Sequence, residues 1–322
     1  MTQIFHSLIG NLMVPTILFF VLGLIAAAVR SDLSIPEGAA KFMSLYLLLA
    51  IGFKGGHSLA QHGLSADVFA ALGAGLVLSF LLPFIAYALL RSITRLNPLN
   101  AAAVAGHYGS ISIVTFVAAS SLLDLSGIAS DGYMVAVAAS MEVPAILSAL
   151  WIAHRFSGTK EAGAVPMRDL FANGSVVLLT GAFVIGMLTQ DKGMEMIAPF
   201  VVTPFTGILC LFLLDMGLSA GRSLLRNRHL LSAGLFAFGL MMPIVGALLA
   251  MALGAAIGLQ TGSLFLLMVL SASASYIAVP AAMKIALPQA ESGIYLTLSL
   301  GVTFPFNITL GLPFYLWLAG LV

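Results

Sequence analysis

The sequence predicts an all-α membrane protein of ten transmembrane helices in a 5+5 inverted repeat, with crossed, discontinuous fourth and ninth helices. Three observations lead there. Of 322 residues, 61% are hydrophobic and 8% charged, and the mean hydropathy of +1.10 is far above what a soluble domain carries in water. Ten stretches reach the roughly 20 apolar residues that a spanning helix needs. A shift of about 160 residues superposes the two halves.

Taken in chain order, segment one (8–29) follows no Lys or Arg and is of spanning length, so it reads as a helix and not a cleaved signal peptide. Segments two (42–62) and three (68–91) come next, with Lys54 inside the second. Segment four (98–122) is interrupted by small and polar residues over 106–112, and segment five (133–154) carries Glu142 and Pro144 near its middle. A short polar linker (157–169) separates the first repeat, 1–156, from the second, 170–322. Segments six (170–190), seven (199–221), eight (229–258), nine (262–286) and ten (292–321) follow, nine interrupted over 271–276 and ten carrying Pro305. The single cysteine, Cys210, excludes an intramolecular disulfide and a Cys-based metal site.

Lys and Arg concentrate in cytoplasmic loops. An N-terminus outside the cell puts Arg30, Lys41, Arg91, Arg95, Arg155, Lys160, Arg168, Arg222, Arg226, Arg228 and Lys284 inside, against Lys192 outside. Both termini are therefore expected to be extracytoplasmic. No loop carries the basic run or aromatic platform of a nucleic-acid binder.

Five landmarks hold the repeat in register: Asn11 with Asn173, Gly23 with Gly186, Pro83 with Pro243, Asp131 with Glu291, and Pro144 with Pro305. Any one match between membrane helices is weak, and five in order are harder to dismiss. An odd number of helices per half inverts the second copy, the arrangement of many secondary transporters.

The interruptions of segments four and nine fall about a dozen residues from the helix start. At 1.5 Å per residue that is ~15 Å deep, the middle of a ~30 Å hydrocarbon layer. Two half-helices beginning there from opposite sides would converge their free N–H groups and positive dipole ends, which makes an anion site. Small residues also serve close helix packing, and a single such run would be read that way. The candidate donors are backbone amides, the hydroxyls of Ser110, Ser112, Ser273 and Ser275, and the phenols of Tyr108 and Tyr276. With no Arg or Lys among them, the site suits a small oxyanion that must be released as well as bound.

Glu142 lies two residues before Pro144, and its counterpart Thr303 lies two before Pro305, with Asn307 following. A carboxylate, an amide oxygen, hydroxyls and proline-freed carbonyls are hard-cation ligands, and sodium (Na+) is the natural ion. The expected set is Glu142, Thr303 and Asn307, with Thr115 from segment four. His107 reads as a packing residue making one hydrogen bond, ahead of a proton relay. A Lys54–Asp215 ion pair across the pseudo-twofold axis competes with snorkelling of both chains to opposite faces. His57 and His62 are off the i, i+4 spacing of a helical metal pair and read as solvated.

The runs GHYGSISIVTFVAAS (106–120), SASASYIAVPAAMK (271–284) and TLSLGVTFPFN (297–307) closely resemble those of the cyanobacterial-type sodium-dependent bicarbonate symporters. The resemblance covers essentially all ten segments. It implies a gate domain from segments one, two, six and seven and a moving core from the rest, with bicarbonate held where four and nine cross. Carried over residue by residue, the substrate region falls on Gly109, Ser110, Ser112, Ser273, Ala274 and Ser275. The resemblance also implies a homotrimer and a small cytoplasmic regulator similar to the PII signalling proteins. The linker here is shorter than the family's usual one and leaves less surface for that regulator.

The expected function is therefore sodium-coupled import of bicarbonate by an elevator-like mechanism, in the inner membrane of a bacterium. A carrier of another small anion and a cation/proton antiporter are the alternatives, and the antiporter would call for an Asp at the crossing, where none stands. An intramembrane enzyme fares worse, because the chain has neither H-E-x-x-H nor an acidic cluster to hold magnesium.

Overall fold

The computed structural model describes residues 14–63, 65–156, 174–276 and 278–322. Asn11, Asn173 and the 157–169 linker lie outside the described residues, as do the side chains of His62 and Lys284. All regular structure among the described residues is helical. We name the helices α1 (Pro15–Ala28), α2 (Glu37–His62), α3 (Ala66–Ile93), α4 (Pro98–His107), α5 (Ile113–Ser126), α6 (Met134–Phe156), α7 (Gly174–Val201), α8 (Phe205–Asn227), α9 (Ala233–Ala256), α10 (Thr261–Ala272), α11 (Ala278–Ala286) and α12 (Ser292–Ala319). Six of them, α2, α3, α6, α8, α9 and α12, are long and apolar enough to cross a membrane alone, and α1, α5 and α10 are shorter apolar helices. Helices are what such a sequence must form in lipid, where every backbone N–H and C=O has to be satisfied inside the segment.

The predicted interruptions are real breaks. Segment four divides into α4 and α5 around 108–112, and segment nine divides into α10 and α11 after Ala272, with 273–276 outside any helix. The ends are prepared locally. Asn97 Oδ1 accepts from Asn100 N at 2.8 Å, with Pro98 at the first helical position of α4. Ser112 Oγ accepts from Thr115 N at 3.3 Å to start α5, and Gly127, at φ 67°, ends it in the left-handed region that glycine favours.

Segments five and ten stay continuous but are deformed at their prolines. In α6 a turn at Met141 immediately precedes Glu142. In α12, π-helical turns over Thr297–Thr303 and Asn307–Gly311 flank Pro305, the local widening that follows where a proline removes an N–H from the ladder. A hydroxyl one turn on satisfies each proline's own carbonyl: Ser148 Oγ donates to Pro144 O at 2.9 Å, and Thr309 Oγ1 to Pro305 O at 2.7 Å.

The connection between segments six and seven is itself helical. The backbone leaves helical geometry at Gln190 (φ 50°, ψ −140°), where segment six is expected to end, and a second helix follows to Val201. Asp191, Lys192 and Glu195 are exposed there. Their charges end the apolar run where the first helix breaks.

Helices α1 and α8 pack along each other, as do α2 and α7, and in both pairs backbone touches backbone. A Cβ on Gly23 would lie 2.2 Å from Leu214 O, and one on Gly217 2.2 Å from Phe20 O. A Cβ on Gly186 would lie 2.2 Å from Phe53 O, and one on Gly56 1.8 Å from Phe183 O. The two contacts share one register: each glycine meets the carbonyl three residues before its partner. Such contacts exclude any side chain and fix the helix pairs closely. The α2–α7 pair is also tied by His57 Nε2, 2.8 Å from Asp191 Oδ1, so His57 is partnered where the sequence suggested a solvated ring.

The broken segments lie innermost. Every residue of α4 from Asn100 to His107 is buried, and so is every residue of α10 from Gly262 to Ala272, as expected of helices apolar all round. Each is anchored near its start to the opposite half of the chain. Asn100 Oδ1 accepts from Glu291 N at 2.8 Å, and Ser263 Oγ accepts from Asp131 N at 2.9 Å.

Candidate functional site

The two breaks meet. Ser275 N donates to His107 O at 2.8 Å, and Ser112 N donates to Ser273 Oγ at 2.8 Å. Ser273 Oγ in turn donates to Leu270 O at 2.8 Å, which uses its proton and turns its lone pairs to the other break. All of Ser110, Ser112, Ser273, Ala274 and Ser275 are buried. His107, Ser112 and Thr115 on one side and Leu270, Ser273 and Ser275 on the other thus form one polar junction inside an apolar interior.

Gly109 is dictated by the packing of this junction. A Cβ there would sit 2.4 Å from Pro83 Cγ and 2.7 Å from Ser79 O, so only glycine lets the first break lie against α3. Gly246 does the same for α9, where a Cβ would fall 2.1 Å from Ser271 O at the end of α10.

Ser110 is distinct from its neighbours. Its hydroxyl is buried and has no hydrogen-bond partner among the described residues, and the same holds for Ser271 Oγ and His107 Nε2. Buried polar atoms are nearly always paired, so an unpaired one at a junction of helix ends calls for a ligand or water. His107 makes the packing bond expected of it, with Nδ1 2.7 Å from Ala103 O and its ring stacked on Tyr295 at 4.5 Å.

Three of the four predicted cation ligands attach to the junction. Tyr108 OH and Thr303 Oγ1 are 2.6 Å apart, and Thr303 Oγ1 donates to Gly239 O at 2.7 Å. Asn307 Nδ2 donates to Ala272 O, the last residue of α10, at 2.8 Å. Thr115 Oγ1 donates to Ser112 Oγ at 2.9 Å, which leaves its own lone pairs open. Glu142 stands apart: half-buried at the Met141 turn, it has no hydrogen bond or ion pair to the other three among the described residues. Beside it, Ser79 Oγ donates to Met141 O.

Two partners were not evident in the sequence. Tyr315 OH donates to Asn307 Oδ1 at 3.0 Å and fixes the amide's orientation. Its spacing of eight residues is off the usual helical contacts, and the π-helical turn after Asn307 is what brings the pair together. Lys54 pairs with Asp124 and not with Asp215: its Nζ lies 3.2 Å from Asp124 Oδ2 at the end of α5.

Compared with known families, the chain matches the Na+-dependent bicarbonate transporter superfamily over residues 15–320. No curated protein matches it.

Proposed function

The chain belongs to the Na+-dependent bicarbonate transporter superfamily, and from that premise we propose that it is a symporter importing bicarbonate with sodium into a bacterial cell by alternating access. The supporting observation is the Ser110 hydroxyl, buried and without a partner among the described residues, beside two helix breaks that hydrogen-bond to each other. Bicarbonate is a small planar anion able to accept from several donors at once. Neutral donors hold it without the grip of a fixed cation, which suits a carrier that must release its cargo.

The inverted repeat is part of this proposal. The shared register of the α1–α8 and α2–α7 contacts, the paired anchors at Asn100 and Ser263, and the matching proline caps at Ser148 and Thr309 all support it. In this reading α1, α2, α7 and α8 are the gate, rigid through their glycine contacts, and the remaining helices are the core that moves against it. Assembly as a homotrimer and control by a PII-like protein accompany the family resemblance.

Sodium is cargo as well as driving ion. Oxygens of Thr303, Asn307 and Thr115 are hard ligands already oriented by Tyr108, Tyr315 and Ser112, and Glu142 supplies the negative charge. Coupling follows from electrostatics. Loading either ion alone changes the net charge that the core must carry across by one, and loading both restores the charge of the empty core. A tenfold sodium gradient supplies ~1.4 kcal/mol per ion, and each net charge moved adds ~2.3 kcal/mol per 100 mV.

Ser110→Ala tests the site cleanly, because the hydroxyl removed has no hydrogen-bond partner among the described residues. The variant should melt at or slightly above the wild-type temperature while its KM for bicarbonate rises about tenfold, the factor for ~1.4 kcal/mol. An unchanged KM would remove Ser110 from the substrate site.

A further inference from the structure

A cavity of about 190 Å³ opens at the face where α2 and α5 end and α6 begins. By the distribution of Lys and Arg this is the outer face. Lys54, Ser120, Asp124 and Asp131 line it, with Phe116 and Ile51 deeper. Phe116 is four residues, about one helical turn, beyond Ser112, so the cavity reaches down α5 towards the helix breaks.

Lys54 is the cation of this cavity, and its charge faces two ways. Its Nζ lies 3.2 Å from Asp124 Oδ2 and 5.3 Å from the centre of the Phe205 ring. The other carboxylate, Asp131, is committed elsewhere: its Oδ2 accepts from Ser263 Oγ at 2.6 Å. The Lys54–Asp124 pair is exposed, at 36% and 63% for the two side chains. Ion pairs of that kind contribute little and exchange readily with solution ions. The carboxylate that Lys54 holds is itself a planar group with two oxygens on one carbon, the same face that bicarbonate presents.

We propose that Lys54 forms an outer anion subsite, in which incoming bicarbonate displaces the Asp124 carboxylate from the ammonium before moving inward along α5. This rests on the reading of the chain as a bicarbonate importer. It gives a cation well inside a predicted transmembrane segment a role in capture, and it makes Asp124 the competitor that keeps the subsite occupied between arrivals.

The decisive property is sign. Lys54→Gln should raise the KM for external bicarbonate roughly fourfold, the effect of one charge ~5 Å away in water, with the maximal rate kept and Lys54→Arg restoring the wild-type value. Asp124→Asn should lower KM, because it removes the competitor. If the pair is only a structural tie, both neutralisations act in the same direction, and that outcome overturns the proposal. A second readout needs no transport. With Cys210→Ala as background, Ser120→Cys should react with an anionic methanethiosulfonate faster when Lys54 is present than in Lys54→Gln, and sodium-free bicarbonate should slow the reaction. Equal rates would refute the subsite. Absence of bicarbonate uptake by the wild type would instead count against the proposed function, with the labelling result standing on its own.

Discussion

The hydroxyls of Tyr108 and Thr303 lie 2.6 Å apart and join the first helix break to the proline-flanked middle of α12. The direction of this bond follows from its neighbour. Thr303 Oγ1 gives its proton to Gly239 O at 2.7 Å, so Tyr108 is the donor and one lone pair of Thr303 is left for an ion. Tyr108→Phe keeps the ring, which packs edge-on against Phe238 at 4.8 Å, and removes only the orienting proton. Its sodium half-saturation should rise about tenfold, as is common when a ligand loses its outer partner, with a smaller change in bicarbonate KM. Initial uptake rates across a sodium titration measure both.

Glu142→Gln separates charge from shape. If the carboxylate balances the sodium ion, the variant folds and traffics normally and its residual uptake no longer responds to sodium. Wild-type coupling in Glu142→Gln would take this residue out of the mechanism. Because the Glu142 side chain makes no hydrogen bond to Thr303, Asn307 or Thr115 among the described residues, its neutralisation should leave their network, and the melting temperature, nearly unchanged.

Two glycine substitutions contrast close approach with open space. A Cβ on Gly109 collides with Pro83 and Ser79 O, so Gly109→Ala should destabilise by about 1–3 kcal/mol and abolish uptake. Gly73, exposed on α3, has room for a methyl, since a Cβ there would meet nothing within 4 Å among the described residues, and Gly73→Ala should be neutral or stabilise by up to about 1 kcal/mol. Thermal unfolding in detergent, followed by fluorescence, compares the two.

The helix pairs make a separate prediction. Gly217→Ala and Gly56→Ala each push a methyl into a facing carbonyl, Phe20 O and Phe183 O respectively. If the two contacts are equivalents in an inverted repeat, the two variants should lose similar stability, about 1–3 kcal/mol each. A large loss from one and none from the other would argue against equivalence.

Much of this was legible in the chain because membrane insertion makes composition decisive. The breaks at 108–112 and 273–276 were marked by glycines and serines in otherwise apolar helices, and Pro144 and Pro305 marked the deformed ones. What escaped the sequence depends on how helices face one another. Lys54 finds Asp124 and not Asp215 because α2 and α5 end at one face, a relation no spacing encodes. Tyr315 lies eight residues beyond Asn307 across a π-helical turn, outside the i, i+4 contacts that spacing makes visible. The helical stretch to Val201 was hidden because hydropathy reports lipid contact and not helicity.

The most direct measurement of the central claim is uptake of radiolabelled bicarbonate into proteoliposomes of the purified protein, with and without an inward sodium gradient, at fixed pH and membrane potential. Uptake that requires sodium and falls sharply in Ser110→Ala is the predicted result. Sodium-independent uptake, or none from well-folded protein, would contradict it.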